Sequence, residues 1–243
     1  MKEKVVFFGL STEGYSLASK MVINGANVRI IDESSSSAIL LKPETAKTYT
    51  NVISLREDEP LLAMEPSNVA ISEAKYLFFT PRIRKTGQDL KTEVNSKFKE
   101  AVGELKKGSS VINCLATGFG GNNENISLLK HVTGFEVGKS ISYFYFPLND
   151  LNKTPEVIGS LKNIEEKKLL SLLKTDKKEK KFVDISSAEK LHAINTIQRF
   201  SSLCTVLEVL RDVNKDAKHA KLFSGFNDLY LNDMVTGLYD LRM

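Results

Sequence analysis

An apolar strand that runs directly into a glycine-containing turn and a helix restricts the fold of this chain more than any other feature. Residues 4–10 are a short continuous apolar run, as in a strand buried on both faces of a parallel sheet. From Tyr15 to Asn24 the apolar residues recur at helical spacing, and Asn24-Gly25 is typical of a helix C-terminus. A second apolar strand, residues 27–31, follows. Together these segments predict one right-handed, parallel strand–helix–strand unit.

The turn between the first strand and the first helix, residues 9–14, reads Gly-Leu-Ser-Thr-Glu-Gly. In a dinucleotide-binding turn the first glycine permits the tight bend, the last permits close helix–strand packing, and a middle glycine lets backbone approach the pyrophosphate. Ser11 occupies the middle position, where its side chain reduces clearance but its hydroxyl can donate to a phosphate. Two glycines could also serve the turn geometry alone. The predicted cofactor contacts are Gly9, Leu10, Ser11, Thr12, Glu13 and Gly14.

Asp32 follows the second strand, 18 residues after Gly14. A carboxylate at this position accepts hydrogen bonds from the adenosine ribose and repels a 2′-phosphate. An alternative interpretation is that Asp32 caps the serine run at residues 34–37, which we expect to be a loop. Turn, strand, helix and acid together predict a dinucleotide site in which NAD is favoured over NADP, although Arg29 is a residue type that suits a 2′-phosphate.

The alternation of strands and helices continues along the chain. Apolar runs at residues 75–80, 110–115 and 140–146 predict further strands, and a charged helix is expected around residues 90–105. Beyond residue 153 the pattern changes, with helices predicted at residues 164–173 and 186–213. The sequence therefore predicts an α/β fold. A Rossmann-type doubly wound parallel sheet would occupy residues 1–155, followed by a small all-helical domain over residues 156–243.

Composition excludes several functional classes. The 34 Lys and Arg exceed the 30 Asp and Glu by only four, and the lysine-rich stretch at residues 174–181 has no interleaved aromatic residues, so we expect no nucleic-acid partner. No apolar stretch approaches the ~20 residues of a membrane span, and no signal-peptide pattern is visible, so we expect a cytoplasmic protein without a membrane partner. Cys114 and Cys204 lie in apolar runs and are predicted to be reduced core residues. His131 and His219 have no ligands at metal-binding spacing, so we expect no metal site.

Several spaced motifs resemble the UDP-glucose/GDP-mannose dehydrogenase family. Residues 6–18 are similar to the family's first turn, G-L-G-x-x-G-L-x-L-A, and Thr80-Pro81 to its T-P motif. Residues 115–121 lie where the family has S-T-V-P-x-G, and residues 187–195 resemble the start of its central helix, A-E-x-x-K-x-x-x-N. The resemblance covers residues 4–159 and extends more faintly to Arg211. It implies an NAD-dependent oxidoreductase acting on a nucleotide sugar or another hydroxylated substrate.

The resemblance also implies roles for individual residues. Thr80, Pro81 and Thr117 would contact the cofactor, with Thr117 also near the reacting carbon. Lys190, His192 and Asn195 are candidate catalytic residues, because a related branch of hydroxyacid dehydrogenases uses a lysine and an asparagine on this helix for proton transfer. A solvated His192 without a catalytic role is the alternative.

The chain departs from the family pattern at positions that matter for catalysis. Leu148 stands where the family has a carboxylate, and Lys190 and Asn195 are five residues apart instead of four, which leaves Leu191 at the lysine position. We expect this chain to lack a counterpart of the family's C-terminal cysteine domain, which a separate chain could supply. These departures support a second hypothesis, a non-catalytic dinucleotide-binding or regulatory protein, so whether the chain is an enzyme stays open.

The long helix of residues 186–213 carries more apolar residues than one side of a lone helix buries easily. In the resembled family this helix forms the dimer core, so the resemblance implies a homodimer. The apolar residues concerned are Leu191, Ile194, Ile197, Leu203, Val206 and Leu210.

Overall fold

The computed structural model describes residues 3–33, 35–58, 62–83, 88–148, 156–161, 166–174 and 179–213. Within these ranges the strands are β1 Lys4–Phe8, β2 Asn27–Ile31, β3 Ser37–Leu41, β4 Met64–Pro66, β5 Tyr76–Phe79, β6 Ser110–Asn113, β7 Ser142–Tyr145, β8 Glu156–Ser160 and β9 Lys180–Asp184. The helices are α1 Thr12–Ile23, α2 Pro43–Thr48, α3 Val52–Glu57, α4 Ser67–Ser72, α5 Gln88–Val102, α6 Gly121–Thr133, α7 Lys167–Leu173 and α8 Ile185–Val213.

The described strands form one sheet in the order β4-β3-β2-β1-β5-β6-β7-β8-β9. The five central strands from β2 to β7 are parallel, whereas β3 and β4 extend one edge in antiparallel pairing. On the other side β8 is antiparallel to β7, and β9 is parallel to β8. The strand order reverses at β1, because β2 lies on one side of it and β5 on the other. In open α/β sheets, ligands bind outside the carboxyl ends of the strands at such a reversal.

Adjacent residues of a buried strand point to opposite sides of the sheet. Each strand therefore contributes side chains to two cores, one on each face, and helices cover both faces. Phe7 belongs to the core beneath α1 and α7, and Phe8 belongs to the core beneath α5 and α6. Phe7 stacks on Phe78 with ring centroids 4.7 Å apart, and Phe79 meets the ring of Phe98 edge-on at 5.1 Å. The predicted α/β class with a doubly wound, mostly parallel sheet is confirmed.

Two details of the predicted organisation need correction. Ser37 begins β3, so the serine run is not entirely loop. The region after residue 155 is not all helical, because β8 and β9 belong to the same sheet as β1. The backbone groups along the outer edge of β7 need hydrogen-bond partners, and β8 supplies them. Strands from before and after residue 155 thus belong to one sheet, and the division of the chain into two domains at that residue stays a prediction.

The last described helix, α8, spans Ile185–Val213 and packs on β7, β8 and β9. It begins within one residue of the predicted helix start. None of the helices in the described ranges combines the length and the apolar character needed to cross a membrane.

Candidate functional site

Both glycines of the turn at residues 9–14 are required by close packing. Gly9 has φ +97°, and a Cβ there would lie 2.3 Å from the Cα of Pro81. A Cβ on Gly14 would lie 2.7 Å from the Cβ of Thr80. The turn that follows β1 is therefore shaped against Thr80 and Pro81, which follow the neighbouring strand β5.

Ser11 is the N-cap of α1, and its Oγ accepts a hydrogen bond from the backbone amide of Gly14 at 3.1 Å. The middle residue of the turn thus satisfies one amide of the helix N-terminus. No described residue accepts a hydrogen bond from the amides of Thr12 and Glu13. These two amides stay available to an anionic ligand at the positive end of the helix dipole.

Thr80 is buried, and its Oγ1 donates to the carbonyl oxygen of Gly9 at 2.8 Å. The backbone amide of Ser11 donates to the Thr80 carbonyl oxygen at 3.3 Å. The structure shows Thr80 and Pro81 forming the wall behind the turn. Their predicted contact with a cofactor stays a prediction.

Two adjacent acids follow β2, and their carboxylates have different partners. Asp32 is 4% exposed, and its Oδ2 lies 2.6 Å from Arg56 Nη2. The Oε2 of Glu33 accepts from the Leu10 amide at 3.0 Å, and its Oε1 accepts from the Arg82 amide at 2.9 Å. Glu33, which sequence reasoning missed, is therefore the acid whose carboxylate bonds directly to the turn. The sequence offered one signal for Glu33, which is a second acid directly after Asp32. Adjacent residues at a strand end point to opposite sides, so either acid could be the one that reaches the turn.

A second polar cluster lies where β6 and β7 end. The side-chain nitrogen Nδ2 of Asn122 donates to Thr117 Oγ1 at 2.8 Å. The Asn122 Oδ1 accepts from Tyr143 Oη at 2.6 Å and from Asn113 Nδ2 at 3.1 Å. The backbone amide of Thr117 donates to Tyr145 Oη at 3.3 Å. Thr117 is thus bonded directly to Asn122 of α6 and Tyr145 of β7, and Asn122 links it to Asn113 at the end of β6.

The carboxylate of Glu189, from α8, closes the N-terminus of α6. Its Oε2 accepts from the Gly120 amide at 2.9 Å, and its Oε1 accepts from the backbone and side-chain nitrogens of Asn122 at 3.0 and 2.8 Å. Gly120 has a left-handed backbone and no side chain with which to cap the helix itself. Sequence reasoning missed Glu189 as a site residue, although it is the glutamate of the A-E pair that marks the start of the long helix.

Burial controls the protonation of two groups near this cluster. Burial raises the pKa of Tyr143, so its hydroxyl stays protonated and donates to Asn122 throughout the physiological range. Burial also raises the pKa of the Cys114 thiol well above its usual value. Cys114 therefore lacks the thiolate character of a nucleophile.

The candidate catalytic residues of α8 lie in different surroundings. His192 is buried, and its ring meets the ring of Tyr145 edge-on with centroids 6.4 Å apart. Lys190 is exposed, and it lies about 200° around the helix axis from His192. Asn195 is half-buried. The structure brings His192, Tyr145 and Thr117 to the same end of the sheet but leaves Lys190 facing solvent.

Two other expectations about the C-terminal half can be compared with the structure. Leu148 is buried, and Cys204 is exposed and not a core residue, because the apolar run around it lies along a helix that leaves its thiol in solvent. Among the apolar residues expected at a dimer interface, Leu191, Ile194 and Ile197 are 41%, 51% and 59% exposed. The side chains of Leu203, Val206 and Leu210, and the whole of His219, lie outside the described residues.

Comparison with known proteins finds similarity in structure and not in sequence. No family model matches the chain, and no curated protein matches it. A GDP-mannose dehydrogenase from Pseudomonas aeruginosa, solved as a ternary complex, superimposes with a TM-score of 0.66 at 15% identity, over 86% of this chain and 53% of that one. A UDP-D-ManNAc dehydrogenase from Pyrococcus horikoshii gives 0.59 at 16% identity, over 88% and 58%. This chain has the fold of these oxidoreductases.

A reductive aminase from Aspergillus terreus, in complex with NADPH and ethyl levulinate, also has this fold. Its TM-score is 0.59 at 15% identity, over 98% of this chain and 75% of that one. This chain spans a little more than half the length of the two dehydrogenases.

Proposed function

We propose that this chain binds a nicotinamide dinucleotide, with the pyrophosphate at the N-terminus of α1. The observation that carries the proposal is the pair of α1 amides, from Thr12 and Glu13, that no described residue uses. They lie where the strand order reverses, beside two glycines that the packing requires. The bound nicotinamide would supply hydride transfer.

We propose NAD in preference to NADP, with Glu33 as the acid that accepts from the ribose. Asp32 is paired with Arg56, whereas Glu33 bonds to the turn itself. Each carboxylate oxygen can accept two hydrogen bonds, so Glu33 Oε2 can accept from a ribose hydroxyl in addition to the Leu10 amide. A carboxylate at this point repels a 2′-phosphate. The Nζ of Lys97 lies 3.5 Å from Glu33 Oε1 and partly neutralises the negative charge of this carboxylate.

The proposed activity is that of an oxidoreductase acting on a nucleotide sugar or another hydroxylated substrate. Thr117, Tyr145 and His192 converge at the carboxyl end of β6 and β7, which supports this activity. A non-catalytic dinucleotide-binding or regulatory role is the second candidate. Leu191 and Leu148 are apolar residues at positions where the resembled family has a lysine and a carboxylate, and Lys190 faces solvent. These features support the non-catalytic role. The exposed Leu191, Ile194 and Ile197 support a homodimer through α8.

Calorimetric titration of the full chain with NADH and NADPH tests the binding site. Thr12→Pro removes one of the two amides at a position where proline suits the start of a helix, and Ser11 already has the extended backbone that precedes a proline. Thr12→Ala keeps the amide and is the matched control. We expect Thr12→Pro to weaken NADH binding about tenfold or more, as for loss of a hydrogen bond to a charged group, with Thr12→Ala close to the wild type.

Equal NADH affinity for Thr12→Pro and Thr12→Ala, or no binding by the wild type, would refute the proposed site. A panel of UDP- and GDP-sugars with NAD then separates the two candidates. NADH formation with one sugar supports the oxidoreductase, whereas tight cofactor binding without turnover across the panel supports the non-catalytic role.

A further inference from the structure

The contact between Glu189 and α6 joins two helices that are distant in sequence and does more than cap α6. Glu189 is 4% exposed, and its carboxylate accepts three hydrogen bonds, two from backbone amides and one from the Asn122 side chain. Both oxygens of this carboxylate act as acceptors of N–H hydrogens. The Asn122 side chain must therefore present its nitrogen to Glu189.

The opposite end of the Asn122 side chain is fixed independently. Its Oδ1 accepts from the Tyr143 hydroxyl and from Asn113 Nδ2. Tyr143 stays protonated because burial raises its pKa, so it can serve as the donor. Reversing the Asn122 amide would oppose donor to donor on one side and leave Glu189 facing an oxygen on the other. Asn122 thus has one possible orientation.

The orientation of Asn122 determines how Thr117 can act. The Asn122 nitrogen donates to Thr117 Oγ1, so that oxygen acts as an acceptor within the protein. No described residue accepts the hydrogen of the Thr117 hydroxyl. Gly121 allows this close approach, because a Cβ there would lie 2.8 Å from the Thr117 Cβ. The half-buried Thr117 therefore has a hydrogen to donate at the carboxyl end of β6.

We infer that Glu189 is a positioning residue that, through Asn122, holds Thr117 as a hydrogen-bond donor to the carboxamide oxygen of the bound nicotinamide. The inference rests on the proposed function. It concerns the half of the cofactor that is distant from the α1 amides, so the two proposals can be tested separately. ADP-ribose has the adenosine, the pyrophosphate and both riboses of the dinucleotide and lacks only the nicotinamide, so its affinity reports on every part of the cofactor except the nicotinamide ring and its carboxamide.

The test compares NADH and ADP-ribose affinities in a set of full-length variants. Thr117→Val removes the hydroxyl with little change of shape, and Thr117→Ser keeps it. We expect Thr117→Val and Glu189→Gln each to weaken NADH binding about three- to tenfold, the range for one neutral hydrogen bond, and to leave ADP-ribose binding unchanged. Thr117→Ser should bind NADH like the wild type. The matched control is Glu124→Gln, which changes an exposed residue in the first turn of α6. This variant should also bind NADH like the wild type.

A double-mutant cycle distinguishes positioning from a purely structural role. If Glu189 acts through the Thr117 hydroxyl, Glu189→Gln should have no further effect on NADH binding in the Thr117→Val background. Asn122→Ala provides a second route if Glu189→Gln does not fold, because it breaks the link to Thr117 while both backbone contacts of Glu189 remain. It should weaken NADH binding to the same extent as Thr117→Val.

The possible failures are separable. If the wild type binds neither NADH nor ADP-ribose, the proposed function fails and this inference fails with it. If the wild type binds both ligands and Thr117→Val or Asn122→Ala keeps full NADH affinity, the inference alone is overturned. Additive effects in the cycle, or an equal loss of ADP-ribose affinity, would also overturn it, because either result would show that Glu189 does not act through Thr117.

Discussion

Replacing Gly9 with alanine tests whether the turn after β1 is shaped by contact with Pro81. Two costs add at this position. The left-handed backbone, with φ +97°, costs a non-glycine residue about 1–2 kcal/mol. The new Cβ would also lie 2.3 Å from Pro81 Cα and 2.5 Å from the Thr80 carbonyl oxygen. Overpacking costs about 1–3 kcal/mol, and this site belongs at the upper end because backbone atoms cannot rotate away.

We therefore expect Gly9→Ala to lower the free energy of unfolding by about 3–5 kcal/mol, a large part of the roughly 5–15 kcal/mol of a typical domain. Gly108→Ala is the matched control, since Gly108 has φ +91° and a Cβ added there would meet nothing within 4 Å. It should cost only the backbone contribution of about 1–2 kcal/mol. Urea denaturation followed by far-ultraviolet circular dichroism measures both. Equal losses for the two variants would refute the packing argument.

Three further predictions concern other described regions. Glu156 and Lys180 form an ion pair with both side chains 3% exposed. Lys180→Met should therefore lower the free energy of unfolding, measured by urea denaturation, by about 3–5 kcal/mol, and adding Glu156→Leu should recover most of that loss. No recovery in the double variant would contradict the burial argument. Cys114 is buried with a raised pKa, so its thiol should not react rapidly with Ellman's reagent in the native protein; Cys204→Ser leaves Cys114 as the one cysteine, and a rapidly reacting thiol in that variant would show that Cys114 is accessible. Hydrogen bonds from the Ser187 hydroxyl and amide lower the pKa of Asp184 in the folded protein. The stabilisation of α8 by Asp184 is therefore present above the unfolded pKa of about 4, and it is lost as the pH falls through the lower folded pKa. The difference in urea midpoint between wild type and Asp184→Ala should therefore shrink below about pH 4, and a difference that grows on acidification would contradict this assignment.

The regular elements of the first half could be predicted because their signals are local. The strand predicted at residues 27–31 is β2, and the strands predicted at residues 75–80 and 110–115 contain β5 and β6. Continuous apolar runs and helical spacing are properties of neighbouring residues, so they can be read without knowing the partner strand. The same holds for the turn, where Gly9 was predicted to allow a tight bend and Gly14 to allow close packing. That Pro81 and Thr80 are the residues against these two glycines is known only from the structure.

Strand partners and side-chain partners depend on contacts between distant parts of the chain. The short strands β8 and β9 lie in a region predicted to be helical, and they join the sheet because β7 has an edge to be paired. Which of the two acids, Asp32 or Glu33, bonds to the turn depends on where Arg56 and Leu10 lie after folding.

The sequence by itself determined a parallel α/β core with a glycine-containing turn between its first strand and first helix, because periodicity and turn chemistry are properties of consecutive residues. Only the tertiary structure decided which acid reaches that turn and which carboxylate closes α6. Glu189 bonds to residues 67 and 69 positions away, and that contact exists only once α8 has packed beside β7 and β8. Hydrogen bonds of this kind depend on distances and directions of a few tenths of an ångström, which are set by the packing of whole elements.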